Sequence, residues 1–279
     1  MSPLIEITDP HILDNSSILI DVRAGADAHE RYLAGHLPNA VFAGLDADLA
    51  SKPADAAFGG RHPLPALEDF ADTLARWGVT PDSHVIVYDD KAGAMGGARL
   101  WWMLRSIGHA NVQVINGGLK AAIDAGLTLA NDEYQNAAVE PYPIPAAYAN
   151  TVDIEEVKKA AADEGRVVID VRESARYQGL TEPLDLVAGH IPGAVNLFYS
   201  NSLSPEGTYL TKHALATLYA DTIGKVKPQD VIVHCGSGVT ACHLLLGMEY
   251  AGITGPKLYV GSWSEWSRRG LPIGTGLDK

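Results

Sequence analysis

The sequence predicts an α/β fold written twice, each copy a mostly parallel sheet with helices on both faces. Three observations carry that prediction. Short β-branched runs alternate with helical patterns along the chain. The motifs of one half return in the other half at a constant spacing. Glycines stand where helices must stop.

The repeat decides the domain organisation. "LIDVRAGADAHERYLAGHLPNAVF", from Leu19, lies over "VIDVRESARYQGLTEPLDLVAGHIPGAVNL", from Val168. Gly108, Gly117 and Gly126 match Gly252, Gly261 and Gly270, each 144 residues further on. A duplication this long means two copies of one domain and not a solenoid of short units. The expected domains are therefore 1–130 and 151–279. The linker between them, 131–150, is polar, holds three prolines and lacks apolar periodicity.

In chain order, the strand candidates are Ile18–Val22, Val85–Tyr88, Val112–Ile115, Val167–Val171, Val231–His234 and Lys257–Val260. Their near-continuous apolar character suits strands covered on both faces. Helices are expected over Leu67–Trp77, Ala98–Ile107, Leu215–Ile223 and Thr240–Tyr250. Gly78, Gly108, Gly224 and Gly252 follow them as stop signals. The two "DVR" motifs and the two "GHLP/GHIP" turns occur in both copies, which favours architecture over chemistry for them.

Composition narrows the function. A formal net charge of −13 argues against nucleic acid or an anionic membrane surface as partner, while leaving room for a locally positive pocket. No apolar run reaches the roughly 20 residues that span a bilayer. The acidic N-terminus is unlike a secretory signal. Cys235 and Cys242 stand about two helical turns apart, too far for a disulfide. A cytoplasmic location is the expectation. No cofactor is expected, and no metal either, because no second cysteine stands at ligand spacing.

The two copies differ most at "VIVHCGSGVTACHLLLGM", Val231 to Met248. Here a strand ends in Cys235, a loop of small residues follows, and a helix begins. In parallel sheets ligands bind at that end of the strands. Gly236 and Gly238 let successive N–H groups turn inward, and the helix adds its unpaired N–H groups. Such a cradle favours a thiolate and any anionic sulfur it carries. In the other copy the strand runs into Asp89, and the loop is two residues longer. Only the second copy can do thiol chemistry. Cys242, among Leu244, Leu245 and Leu246, reads as a core residue. A cysteine phosphatase would need an arginine where Ala241 stands.

"CGSGVTAC" together with the duplicated "DVR … GHIPGA" and "GSWSEW" resembles the two-domain rhodanese family of sulfurtransferases, over about Leu19 to Ile273. The resemblance implies two rhodanese-like domains, the first an inactive copy. It implies that Cys235 accepts a sulfane sulfur as a persulfide and hands it to a thiophilic acceptor. The loop is similar to the mercaptopyruvate type, Cys-Gly-Ser-Gly-Val-Thr. The thiosulfate type carries basic residues where Gly236 and Ser237 stand.

By the same resemblance Ser237, His62 in "GGRHPLP" and Asp46 in "VFAGLDADL" form a catalytic relay, with Asp48 as the alternative acid. His62, coming from the first copy, would have to reach the second. Arg176 binds the donor carboxylate, and Gly236, Gly238, Val239 and Thr240 line the substrate loop. The family's second carboxylate arginine falls at Leu184, with Arg172 as the substitute considered. The implied partners are a small anionic sulfur donor, 3-mercaptopyruvate or else thiosulfate, and a thiol, cyanide or thioredoxin-like acceptor. A sulfur-carrier module serving a protein partner is the competing class.

Overall fold

A computed structural model of the chain describes residues 1–13 and 16–277. It divides into two compact units. The first comprises the chain up to Ser51, Leu64–Ala149 and Glu206–Thr208. The second comprises Lys52–Pro63, Asn150–Pro205 and the chain from Tyr209 onward.

The first unit holds a five-stranded sheet of β1 (Leu4–Ile5), β2 (Ile18–Arg23), β3 (Ala40–Gly44), β4 (Val85–Tyr88) and β5 (Val112–Ile115). The order is β1-β5-β4-β2-β3 and every pairing is parallel. The second unit repeats this with β6 (Thr151–Val152), β7 (Val167–Asp170), β8 (Val195–Asn196), β9 (Val231–His234) and β10 (Lys257–Tyr259). Its order, β6-β10-β9-β7-β8, is again parallel throughout. The two sheets share one topology, as a duplicated sequence requires.

The three inner strands of each sheet are those the β-branched runs indicate. Val85, Ile86 and Val87 are fully buried, as are Val231, Ile232 and Val233. Strands apolar on both faces must be covered twice, and helices do this. The helices Leu67–Arg76, Gly96–Ser106, Lys212–Ile223 and Thr240–Tyr250 match the expected ones within a few residues. Gly78, Gly108 and Gly252 take positive φ just beyond three of them, the left-handed stop that glycine adopts without a Cβ clash. The outer strands β1, β3, β6 and β8 were not foreseen. β1, β6 and β8 are two residues each, too short to show an alternation, and β3, with the sequence AVFAG, has no run of β-branched residues.

The repeated motifs act as architecture. In the first unit Arg23 pairs with Asp21 at 2.8 Å and donates to the Gly35 carbonyl at 2.7 Å. In the second, Arg172 pairs with Asp170 at 2.6 Å and donates to the Gly189 carbonyl at 2.6 Å. Each "DVR" arginine thus ties a strand end to the glycine of its "GHxP" turn. The turn histidines stack on buried tyrosines, His36 on Tyr32 and His190 on Tyr177. Burial opposes the charge of Asp170, yet Arg172 with His234 holds its carboxyl below the usual range.

Among the described residues no helix is long and apolar enough to cross a membrane. Both cysteines are free thiols in buried positions.

Candidate active site

The site begins where β9 ends. Cys235 is 2% exposed and the helix Thr240–Tyr250 opens five residues later. The loop is fixed from the far side by "GSWSEW". The Cys235 N–H donates to Ser262 Oγ at 3.2 Å, while Trp263 N donates to the Cys235 carbonyl and Ser264 N to the Gly236 carbonyl. Gly238 has φ +76°, and a Cβ there would come within 2.6 Å of the Val260 carbonyl oxygen. Only glycine lets the loop lie this close to the next strand. Val239 is the residue capping the helix and Thr240 its first residue. Cys242 points its thiol back at the Gly238 carbonyl, 3.4 Å away, inside the helix.

The matching loop of the first unit shows what such a turn accommodates. Asp89 follows β4 as Cys235 follows β9, and its residue is 1% exposed. Its carboxylate accepts four backbone hydrogen bonds. Lys91 N and Gly93 N reach Oδ1 at 2.8 and 2.7 Å, and Met95 N and Gly97 N reach Oδ2 at 3.1 and 3.0 Å. A strand-to-helix loop of this fold is therefore an anion cradle, and the first unit fills it with its own side chain. In the second unit the same position carries a thiol.

Segment 52–63, from the N-terminal half of the sequence, packs as part of the second unit. It is held by separate polar contacts. Gly59 N donates to Glu265 Oε1 at 3.2 Å and Arg61 N to Ser264 Oγ at 3.0 Å. Arg269 donates to the Ala57 carbonyl and lies over the Phe58 ring. Gly60, at φ +81°, passes so close to the Gly261 carbonyl that a side chain there would collide with it. This course sets His62 beside the loop. His62 Nδ1 and Ser237 Oγ are hydrogen-bonded at 2.7 Å, and Ser237 is 6% exposed. His62 accordingly belongs with the second unit's residues and has no need to reach out of the first.

Asp46 lies in the first unit, in the first turn of the short helix Leu45–Asp48, with its residue exposed. Asp48 is taken up locally: it accepts from Gly44 N at 2.8 Å and pairs with Arg76 at 3.0 Å. Burial, the larger effect, lifts its carboxyl above the usual range.

The arginines are arranged differently from expectation. Arg172 cannot substitute for the arginine absent at Leu184. Its side chain is 1% exposed, bound to Asp170, Gly189 and Glu182, and its guanidinium lies 4.6 Å over Trp263. Leu184 itself faces solvent, 59% exposed. Arg176 pairs with Glu182 at 2.7 Å and lies 3.6 Å from Asp185. Sequence reasoning missed Arg61, whose Nε is 3.2 Å from Asp185. The Nη2 atoms of Arg61 and Arg176 lie 3.1 and 3.5 Å from where a Cβ on Gly236 would stand. The signal was present in "GGRHPLP" beside His62, but its partner Asp185 is 124 residues away.

Among the described residues no cluster of His, Cys, Asp and Glu is placed to hold a metal ion. What the arrangement offers is a thiol in an anion-accepting loop, a hydroxyl–imidazole pair beside it, and guanidinium groups over the loop's first glycine.

Residues 8–125 and 153–269 each match the rhodanese-like domain family. A protein of Pseudomonas aeruginosa named as a probable 3-mercaptopyruvate sulfurtransferase is 37% identical over 269 residues, covering 95% of this chain and 92% of that one. The thiosulfate sulfurtransferase of Gallus gallus is 33% identical over 249 residues, 88% of this chain and 83% of its own. Among solved structures, the 3-mercaptopyruvate sulfurtransferase of Leishmania major superposes with a TM-score of 0.80 at 29% identity, covering 96% of this chain and 75% of the other.

Proposed function

The chain belongs to the rhodanese family of sulfurtransferases, and from that premise we propose that it takes sulfur from 3-mercaptopyruvate through a persulfide on Cys235. Movement of a sulfane sulfur by way of a cysteine is the family's chemistry and is supported here by both the relatives and the fold. The observation that carries the reading to Cys235 is the pair of loops. One copy closes its cradle on the Asp89 carboxylate, and the other presents a thiol at that same point.

The Cys235 thiolate attacks the donor sulfur. A sulfur–sulfur bond forms, the donor's carbon–sulfur bond breaks, and its electron pair passes to the enolate of pyruvate. The enolate takes up the sulfhydryl proton, so pyruvate leaves and the persulfide anion stays in the cradle. In a second step an acceptor thiolate or cyanide attacks the outer sulfur, and Cys235 departs as thiolate. Ser237, paired with His62 Nδ1 at 2.7 Å, donates its hydroxyl proton toward the enolate oxygen as that charge develops. Arg176 holds the donor's carboxylate, while Gly236, Gly238, Val239 and Thr240 form the backbone of the cradle.

Thiosulfate is the second reading, favoured by the two guanidinium groups over Gly236, which suit a sulfonate as well as a carboxylate. Steady-state kinetics with both donors separate the two. Mercaptopyruvate should exceed thiosulfate in kcat/KM by more than about tenfold, with pyruvate released in multiple turnovers. The reverse ranking overturns the donor assignment, and a single turnover would make the chain a sulfur carrier.

A further inference from the structure

We propose that Glu265 is a positioning residue for the proton relay: it latches segment 52–63 onto the second unit and so keeps His62 Nδ1 on the Ser237 hydroxyl. The inference rests on the reading of Ser237 and His62 given above.

The latch is absent from the first copy. At the spacing of 144 residues, Tyr259, Ser264 and Glu265 stand over Ile115, Lys120 and Ala121. The "DVR" struts occur in both units because both need their strand ends tied. A carboxylate and two hydroxyls found only beside the cysteine loop serve something that only the second unit does. Burying a carboxylate is costly unless donors surround it. Glu265 is 8% exposed and meets three of them. The Tyr259 hydroxyl donates to Oε2 at 2.8 Å, Gly59 N donates to Oε1 at 3.2 Å, and Arg269 stands 3.9 Å from Oε1. The backbone makes room on both sides. A Cβ on Gly261 would collide with the Glu265 carboxylate, and one on Gly60 with the Gly261 carbonyl and Ser264 Oγ.

The grip falls next to the relay's imidazole. Segment 52–63 has no helix or strand of its own, so single contacts set its course. Glu265 holds Gly59, and Ser264 Oγ accepts from Arg61 N at 3.0 Å while donating to the Gly261 carbonyl. His62 is the next residue, and its Nδ1 lies 2.7 Å from Ser237 Oγ. Consecutive Cα atoms are about 3.8 Å apart, so a slip of a fraction of one residue carries the ring out of hydrogen-bond reach. Arg269, the third group at Glu265, also donates to the Ala57 carbonyl at 3.1 Å. The carboxylate thus joins β10, through Tyr259, to the segment that carries the imidazole.

The test compares wild type, Glu265→Ala, Glu265→Gln, Tyr259→Phe, His62→Gln and the double variant Glu265→Ala/His62→Gln. Two readouts are taken: steady-state pyruvate release from mercaptopyruvate, and amide hydrogen exchange followed residue by residue by NMR. Glu265→Ala should lower kcat about tenfold and change the KM less than about threefold, because the relay is displaced while donor binding stays. The double variant should be no slower than His62→Gln alone, since a displaced imidazole and an absent one are the same loss. Glu265→Gln keeps an oxygen for Gly59 N and should recover most of kcat. Exchange at the Gly59 and Arg61 amides should quicken about tenfold or more in Glu265→Ala and stay slow in Glu265→Gln. An unchanged kcat in Glu265→Ala, or losses that multiply in the double variant, overturns the proposal. Tyr259→Phe removes one donor and keeps the ring, so it carries the comparison if Glu265→Ala does not fold; unchanged kcat and unchanged exchange in it overturn the proposal as well. If wild type releases no pyruvate, or His62→Gln leaves kcat unchanged, it is the relay reading that fails. If the Gly59 amide stays protected in Glu265→Ala, the latch fails by itself.

Discussion

Replacing Asp89 by asparagine tests whether the strand-to-helix loop is built around an anion. The Asp89 carboxylate accepts from Lys91 N, Gly93 N, Met95 N and Gly97 N, all within 3.1 Å. An asparagine amide can serve two of these donors through its oxygen. Its NH2 group would face the other two, leaving two N–H groups without an acceptor. Each unsatisfied buried group costs roughly 1–3 kcal/mol, so Asp89→Asn should destabilise the first unit by about 3 kcal/mol. For a unit of this size that lowers the melting temperature by about 10 °C. Differential scanning calorimetry reads the shift. Sulfur loading of Cys235, followed in parallel below the transition, should not change. A loss under about 1 kcal/mol would mean that the loop does not need the charge, and the cradle argument would fall with it.

Two further outcomes follow from the second unit. His62→Gln should lower kcat by about a hundredfold and the KM little, since the imidazole acts on a proton and not on the donor's binding; stopped-time pyruvate assays check this, and an unchanged kcat would remove His62 from the relay. His243 is buried with both ring nitrogens unpaired, and burial pushes it down to about 3 from an ordinary 6.5. The unfolded chain therefore takes up a proton that the folded chain refuses. Stability is untouched above pH 6.5 and falls as pH drops toward 3, by about 2 kcal/mol at pH 5. Denaturant titrations at pH 7 and pH 5 should show that loss, and His243→Phe, which keeps a ring against Tyr209 and Tyr199, should abolish most of it.

Sequence pattern revealed those parts of the fold that repeat a local rule. The inner strands are continuous β-branched runs, and the helices between them end at glycines, so their place and their parallel pairing could be read directly. The edge strands β1, β6 and β8 are held by pairing alone, which leaves no trace in two residues. The cysteine loop was legible because glycines, a strand end and a helix start coincide within a few positions. The membership of segment 52–63 was not. Its fixings are single contacts of Gly59 and Arg61 with Glu265 and Ser264, more than 200 residues away, and no periodicity marks them. The same distance hid Arg61. Arg172, the expected substitute for the arginine absent at Leu184, is already employed by the "DVR" motif as a strut.

The central claim is that sulfur passes through Cys235, and intact-protein and peptide mass spectrometry after brief donor treatment tests it most directly. Wild type should gain one sulfur atom, mapped to the peptide holding Cys235, and lose it on adding cyanide. Cys242→Ser should load normally, because that thiol is turned back onto its own helix at the Gly238 carbonyl. Cys235→Ser should load nothing and turn over no donor. Finding the added sulfur on Cys242, or turnover surviving in Cys235→Ser, would contradict the account.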